Sequence, residues 1–163
     1  MTQLVRRDTA RVILAGPGGP VLLFRHLLRE PWSQEGWLPP GGAIEPGESA
    51  ARAAVRELAE ETGHVLTAAG IGAAVAVDSG RWRAGGTMFA SSNWYFFAHA
   101  TTLRIDLSGQ NEYERRELLD YRWWTAGELE ATSDLVFPVG LAGLVPRLLA
   151  GDRPAEPIRL PWG

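Results

Sequence analysis

The chain contains no cysteine. That single absence excludes disulfides, thiolate metal sites and thiol catalysis. No apolar run approaches the roughly 20 residues that a membrane-spanning helix needs. The N-terminus, MTQLVRRDTARVILAG, is basic but has no uninterrupted apolar segment ahead of a small-residue cleavage site, so no signal peptide is expected. A cytoplasmic home is the default expectation from these absences. An excess of positive charge is missing too. The net charge is -3, which suits broad nucleic-acid backbone binding poorly. Internal repeats, low-complexity linkers and a second domain are all absent from the pattern. Residues 1–163 are therefore expected to form one domain, with 151–163 as a Pro-rich tail extended on the surface.

What is present is an ordinary globular composition, 45% hydrophobic and 21% charged. Two apolar runs, Thr9 to Leu14 and Val21 to His26, flank the turn GPGGP and predict a hairpin. Residues 29–42 carry Trp32, Trp37 and prolines and read as a structured loop. Ser49 to Thr62 predicts a helix with Ala51, Ala54, Val55 and Leu58 as its apolar stripe. Ser49 suits its N-cap and Gly63 its C′ position. Strands are expected at 72–78 and 92–100, with a Gly-rich loop, SGRWRAGGTMFA, between them. NEYERRELLDY reads as a charged loop with a short helical turn, and RWWTAGELEA as a strand running into a short helix. Phe137 to Ala150 has helical spacing, with Pro138 at its start and Pro146 within it. Strands interrupted by two helices indicate an α+β or α/β layer fold.

The segment GGAIEPGESAARAAVRELAEETGH poses an electrostatic problem. Glu57, Glu60 and Glu61 lie three and four residues apart on one side of the expected helix. Like charges at that spacing destabilise a helix, and two lie where the macrodipole disfavours them. The nearest arginines, Arg52 and Arg56, lie upstream, and no cation follows Glu57 within the helix. A solvated charged face is the bland explanation. Concentrated carboxylates lacking partner cations are, however, what a hard divalent cation such as Mg²⁺ requires, with its oxygen ligands.

These residues resemble the Nudix box, G-x5-E-x7-R-E-U-x-E-E-x-G-U, where U is a bulky apolar residue. Gly42, Glu48, Arg56-Glu57-Leu58, Glu60-Glu61 and Gly63 fill its fixed positions. The closing position departs from the pattern. It is His64, followed by Val65, which puts local packing in question more than chemistry. VLLFRH, GWLPPGGAIEPGES and RWWTAGEL are similar to other segments of the family, so the resemblance covers most of the chain.

The resemblance implies the Nudix fold, an α+β (α/β/α) sandwich with a mixed sheet between helices and the box as a loop–helix–loop, and a metal-dependent pyrophosphohydrolase of the MutT type. On that basis Glu57, Glu60, Glu61 and the main-chain carbonyl of Gly42 would hold Mg²⁺ or Mn²⁺. Arg56 would orient the neighbouring carboxylates, and Glu48 would support it. The substrate would be a nucleoside diphosphate linked to another moiety: a nucleoside triphosphate, an NDP-sugar or an ADP-ribose-like molecule. A carboxylate would accept the proton of the attacking water. It is either a box glutamate, Glu57 or Glu61, or one of Glu112, Glu114 and Glu117 downstream, with Glu117 favoured. Solvated pairing of those three with Arg115 and Arg116 is the competing explanation.

Substrate contacts are less constrained. Trp32, Trp37, Trp82 and Trp94 could stack on a base, although each alone is more readily explained by packing. Arg25, Arg81 and Arg83 could contact phosphate. In the strand 92–100, Asn93, Tyr95 and Phe97 alternate with Trp94, Phe96 and Ala98, and one of these faces should line the cleft. No subfamily mark names a substrate. A non-catalytic nucleotide-binding sensor is the alternative, though lost box glutamates would be its sign and all three are here. An isopentenyl diphosphate isomerase would need a cysteine. The family commonly forms homodimers, and the tail ending RLPWG could reach a partner subunit.

Overall fold

The computed structural model describes residues 3–112, 116 and 118–162. Its elements are β1 (Leu4–Arg6), β2 (Thr9–Ala15), β3 (Val21–Leu27), β4 (Glu35–Leu38), β5 (Gly41–Ala43), α1 (Ala50–Thr62) and α2 (Ala68–Ile71), followed by β6 (Ala76–Ala84), β7 (Thr87–His99), β8 (Leu118–Trp124), α3 (Ala126–Ala131), β9 (Leu135–Val136), α4 (Leu141–Leu149) and β10 (Ile158–Arg159).

The strands form one mixed sheet along the path β10-β6-β7-β2-β3-β4-β9. Period-2 alternation divides its side chains between two cores. On one face, Ile13, Val21, Leu23, Tyr95 and Phe97 pack with Leu129 of α3 and with Leu141, Leu144, Val145 and Leu148 of α4. On the other, Val12, Leu14, Leu22, Phe24 and Phe96 pack with Ala53, Ala54 and Leu58 of α1 and Ile71 of α2. The sheet lies between helices, as the expected α/β/α sandwich requires.

Several local expectations change. The turn at GPGGP forms, but β2 and β3 pair only through Ala15 and Val21. Beyond the turn β2 runs parallel to β7, from Thr9↔Asn93 to Ala15↔His99, while β3 pairs with β4 and β8. β5 joins β2 through Ala10↔Gly42. The loop expected at 29–42 thus contains two short strands. The Gly-rich loop at 79–90 is instead a continuous hairpin, with β6 and β7 paired from Ala76↔Tyr95 to Ala84↔Thr87. Only Gly85 and Gly86 turn the chain, so Arg81, Trp82 and Arg83 are strand residues. In α1 the buried positions are Ala53, Ala54, Leu58 and Thr62, and Ala51 and Val55 are half-buried. Helix α4 begins at Leu141 rather than at Pro138. The tail is not free on the surface. Strand β10 pairs with β6 through Ile158↔Ala76 and Arg159↔Val77. Part of NEYERRELLDY, including Glu114 and Glu117, lies outside the described residues.

Candidate active site

Helix α1 is held at both ends by its own sequence. The Ser49 side chain accepts from the Arg52 N–H, and Gly63 adopts the left-handed conformation, φ 77°, while its N–H donates to the Ala59 carbonyl. Fully buried Leu58 anchors its inner face and contributes about 2 kcal/mol. The outer face then presents Glu57 and Glu61 toward a cleft of about 450 Å³, which Gly41, Gly42 and Ala43 of β5 also line. The Gly41 N–H donates to Glu61 Oε2 at 3.2 Å. Glu57 lies so close to the loop that a Cβ on Gly42 would fall 2.6 Å from its carboxylate. Glycine there lets the Glu57 carboxylate lie against the box loop, and no unusual backbone torsion is involved.

Arg56 is more central than its position upstream of the glutamates suggests. Its Nε and Nη2 donate to the two oxygens of Glu48, both at 2.9 Å. Nη2 also donates to the Ala43 carbonyl at 3.1 Å, and Nη1 to Glu57 at 3.0 Å. Glu60 Oε2 lies 3.7 Å from Nη1. Glu57 and Glu60 therefore do have a partner cation, which the helix charges alone do not suggest but the resemblance implies. A helical side chain reaches the residues one turn away in either direction, so an arginine beside Glu57 can serve Glu60 as well. Hydrogen bonds to Arg56 hold the Glu48 carboxyl below its ordinary range. Burial, and then the charge of Glu57, push Glu60 up. Among the described residues no group of three His, Asp or Glu side chains is placed to hold a metal ion by side chains alone. The site is an open carboxylate edge, with the Gly42 backbone against Glu57.

The rest of the cleft is built from distant parts of the chain. Asn93 and Tyr95 line its floor, along with Thr9 and Arg11 on the paired strand. The same sheet face that carries Ile13 and Phe97 into the core turns polar as it enters the cleft. Asn93 is fixed in orientation: Thr9 Oγ1 donates to its Oδ1 at 2.5 Å, and its Nδ2 donates to Asp78 at 2.7 Å. The Tyr95 hydroxyl donates to the other Asp78 oxygen at 3.1 Å. Asp78 is buried, and burial raises its carboxyl above the usual range. Burial raises the Tyr95 hydroxyl as well.

Of the expected substrate contacts, Trp82 and Tyr95 line the cleft and Arg25 and Arg81 do not. Arg25 lies 3.6 Å from Glu35 and over the Trp37 ring. Its strand neighbours Phe24 and His26 line the cleft, and alternation turns Arg25 to the other side, against its β4 partner Trp37. Arg81 is exposed. Trp82 stacks on Phe89 with centroids 4.3 Å apart, and its indole N–H donates to Ser91. The basic residues that do line the cleft are Arg7, Arg11 and Arg29. Arg11 was recognisable as a lone charge inside the apolar run TARVILA, and Arg7 and Arg29 carry no comparable signal. Trp37 packs edge-on to Trp124 in the core, and Trp94 packs on the α1 side. His64 is half-buried and its Nε2 lies 2.9 Å from the Arg104 carbonyl, while Val65 is exposed, so neither supplies the apolar plug. Glu117 falls outside the described residues.

The NUDIX domain family matches residues 5–141. An RNA pyrophosphohydrolase from Sphingopyxis alaskensis is 44% identical over 61 residues, a match that spans 37% of this chain and about a third (37%) of that relative's length. Among solved structures, the MutT protein of Methanosarcina mazei Go1 superposes with a TM-score of 0.61 at 17% identity, over 94% of this chain and all (100%) of that one. An Ap4A hydrolase from C. elegans gives 0.56 at 20% identity, over 89% and 98% of the two chains. These structural likenesses concern the fold. With the family match running across most of the sequence and across the box helix and cleft described above, the chain belongs to the NUDIX family.

Proposed function

We propose that this protein hydrolyses the pyrophosphate bond of a nucleoside diphosphate linked to another moiety, with Mg²⁺ or Mn²⁺ as cofactor. One observation carries the reading. Glu57, Glu61 and the Gly42 backbone meet at one end of a cleft whose other surfaces hold arginines and aromatic rings. The oxygen donors suit a hard cation, and the Gly42 backbone packs tightly against the Glu57 carboxylate. The residues that would hold the metal are Gly42, Glu57, Glu60 and Glu61. Bound there, the cation would neutralise charge on the phosphate oxygens and acidify water.

The chain's own side chains supply the remaining steps. Arg56, clamped by Glu48, sets the orientation of Glu57 through a charge-assisted hydrogen bond and of Glu60 through a longer ion pair. Arg7 and Arg11 would take the phosphates, since a planar guanidinium matches phosphate geometry. Glu61 or Glu117 would accept the proton from water. Asn111 and Leu118, which bracket Glu117 in sequence, both line the cleft. Tyr95 acts through Asp78, keeping the floor rigid, and Trp82 forms one aromatic wall.

The test is a substrate panel with Mg²⁺, Mn²⁺ or EDTA. It comprises nucleoside triphosphates, oxidised dNTPs, ADP-ribose, NDP-sugars, dinucleotide polyphosphates and a 5′-triphosphorylated oligoribonucleotide. The last enters because of the curated relative's name. Metal-dependent turnover of at least one supports the reading. Nucleotide binding without any turnover would favour the sensor alternative. Light scattering on the same preparation tests for a homodimer.

A further inference from the structure

The last residues of the chain lie beyond the family-matched segment, which ends at 141. They nevertheless enter the cleft. The Ile158 N–H donates to the Val75 carbonyl and the Leu160 N–H to the Val77 carbonyl, both at 2.9 Å, so the tail runs as a parallel edge strand along β6. Two residues later the ring of Trp162 lies directly over Gly80. A Cβ at position 80 would overlap the indole. Glycine in mid-strand forfeits side-chain packing and is otherwise unfavourable there. Here it makes the seat for a tryptophan supplied by the tail.

Trp162 does not disappear into the core. It is half-buried and lines the same cleft as the box glutamates. Trp32 lies 5.3 Å from it, centroid to centroid, tilted by 53°. Phe137 meets Trp32 edge-on at 5.2 Å and 75°. Trp32 and Trp162 are each half-buried, whereas Phe137 is buried at 7% exposure and backs Trp32. Three rings from three remote segments thus converge on the part of the cleft away from α1.

We propose that the C-terminal tail is a substrate-recognition element: Trp162, seated on Gly80, completes with Trp32 and Phe137 an aromatic site for the planar base of the nucleotide. Stacking on such rings tolerates different bases, because each has a π-face. The inference rests on the proposed nucleotide chemistry for its ligand. Gly80 lies on β6, two strands from β2, which pairs with the box strand β5, so the site would fix where a diphosphate falls without touching the reacting atoms. A tail that only braced β6 would affect stability and leave ligand affinity alone.

The experiment uses full-length protein and two readouts. The first is binding of adenosine, guanosine and uridine monophosphates in EDTA, followed by indole N–H resonances, with the Trp162 signal assigned by its loss in Trp162→Ala. The second is KM and kcat for the best nucleotide of the panel, against tripolyphosphate as a base-free substrate. Monophosphate binding should shift the Trp162 resonance. Trp162→Ala should weaken binding and raise KM about tenfold, with kcat and any tripolyphosphate hydrolysis unchanged. Trp162→Phe should retain most of the affinity. Gly80→Ala, which unseats the ring while leaving the tail sequence intact, should match Trp162→Ala, and the double variant should be no worse than either. Absence of monophosphate binding, or unchanged affinity in both single variants with only a lowered Tm, overturns the proposal. Base binding without turnover of any nucleotide would sink the hydrolase reading and leave this one standing.

Discussion

The two ends of the cleft are built in opposite ways. The box end comes from one continuous stretch, Gly41 to Gly63, in which a capped helix brings Glu61 and Arg56 back to residues 20 and 13 positions upstream. The aromatic end comes from Trp32, Phe137 and Trp162, which meet only once the sheet has formed. The first is held by charge-assisted hydrogen bonds between neighbours in sequence. The second is held by ring contacts and by strand pairing of the tail. Reaction chemistry that depends on carboxylate placement belongs with the local, rigid construction. Choice of substrate belongs with the composite one, which can change without disturbing the helix.

The sharpest break of that contrast is Glu61→Gln. It should lower kcat on the order of 100-fold or more, because it removes a carboxylate while keeping its shape. Monophosphate binding at the aromatic end should be untouched. If Glu61→Gln instead abolished base binding with kcat preserved, the two ends would not be separable. Next comes Arg56→Ala. Glu48 would lose both hydrogen bonds from Arg56 and Glu57 its partner, a loss of about 2 kcal/mol. Thermal unfolding should fall by roughly 4–8 °C for a chain of this size. Arg56→Lys should not rescue it, since an ammonium cannot grip Glu48 with two parallel bonds. A Tm unchanged by either substitution would remove Arg56 from the role of organiser.

Gly42→Ala should have a smaller effect of a different kind. The added methyl meets the far end of a flexible side chain, so Glu57 can swing aside and the fold survives. Activity should drop roughly tenfold through misplacement of one carboxylate, with Tm nearly constant. A parallel loss of Tm and kcat would mean that Gly42 matters for folding and not for the site.

These expectations follow how legible each end was in the sequence. The box helix could be read from local signals alone: Ser49 before it, Gly63 after it, glutamates at helical spacing. What local reading missed there was the reach of Arg56, because side-chain direction rather than sequence order decides which carboxylates it meets. The cleft floor was half legible. Alternation separated Asn93 and Tyr95 from Trp94 and Phe96, but pairing with Thr9 and Arg11 depends on a parallel register that no short motif encodes. The tail was misread because its prolines suggest a surface segment, whereas Ile158 and Leu160 alternate inward onto β6. Glycines 79–90 suggested a loop, yet the hairpin needs only two of them for its turn, and Gly80 makes room for Trp162.

The smallest effects come from acidity, and they should run in opposite directions at the two sites. Glu48 is held below its ordinary value by Arg56. Its ionised form is favoured by folding, so its contribution is present above its unfolded value of 4.5 and is lost as the pH falls through the lower folded value. Asp78 is pushed up by burial. Its contribution is complete below its unfolded value of 3.8 and erodes as the pH rises through the higher folded value. Thermal unfolding of wild type, Glu48→Gln and Asp78→Asn across the acidic range separates them. The gap between wild type and Glu48→Gln should widen with rising pH, and the gap to Asp78→Asn should narrow, each by a few degrees at most. Matching slopes would mean that Arg56 does not select the charged form of Glu48, or that Asp78 ionises as freely as it does in water. Opposite slopes would show that the box uses ionised carboxylates held by a cation, whereas the cleft floor uses a buried one as a fixed hydrogen-bond acceptor for Asn93 and Tyr95.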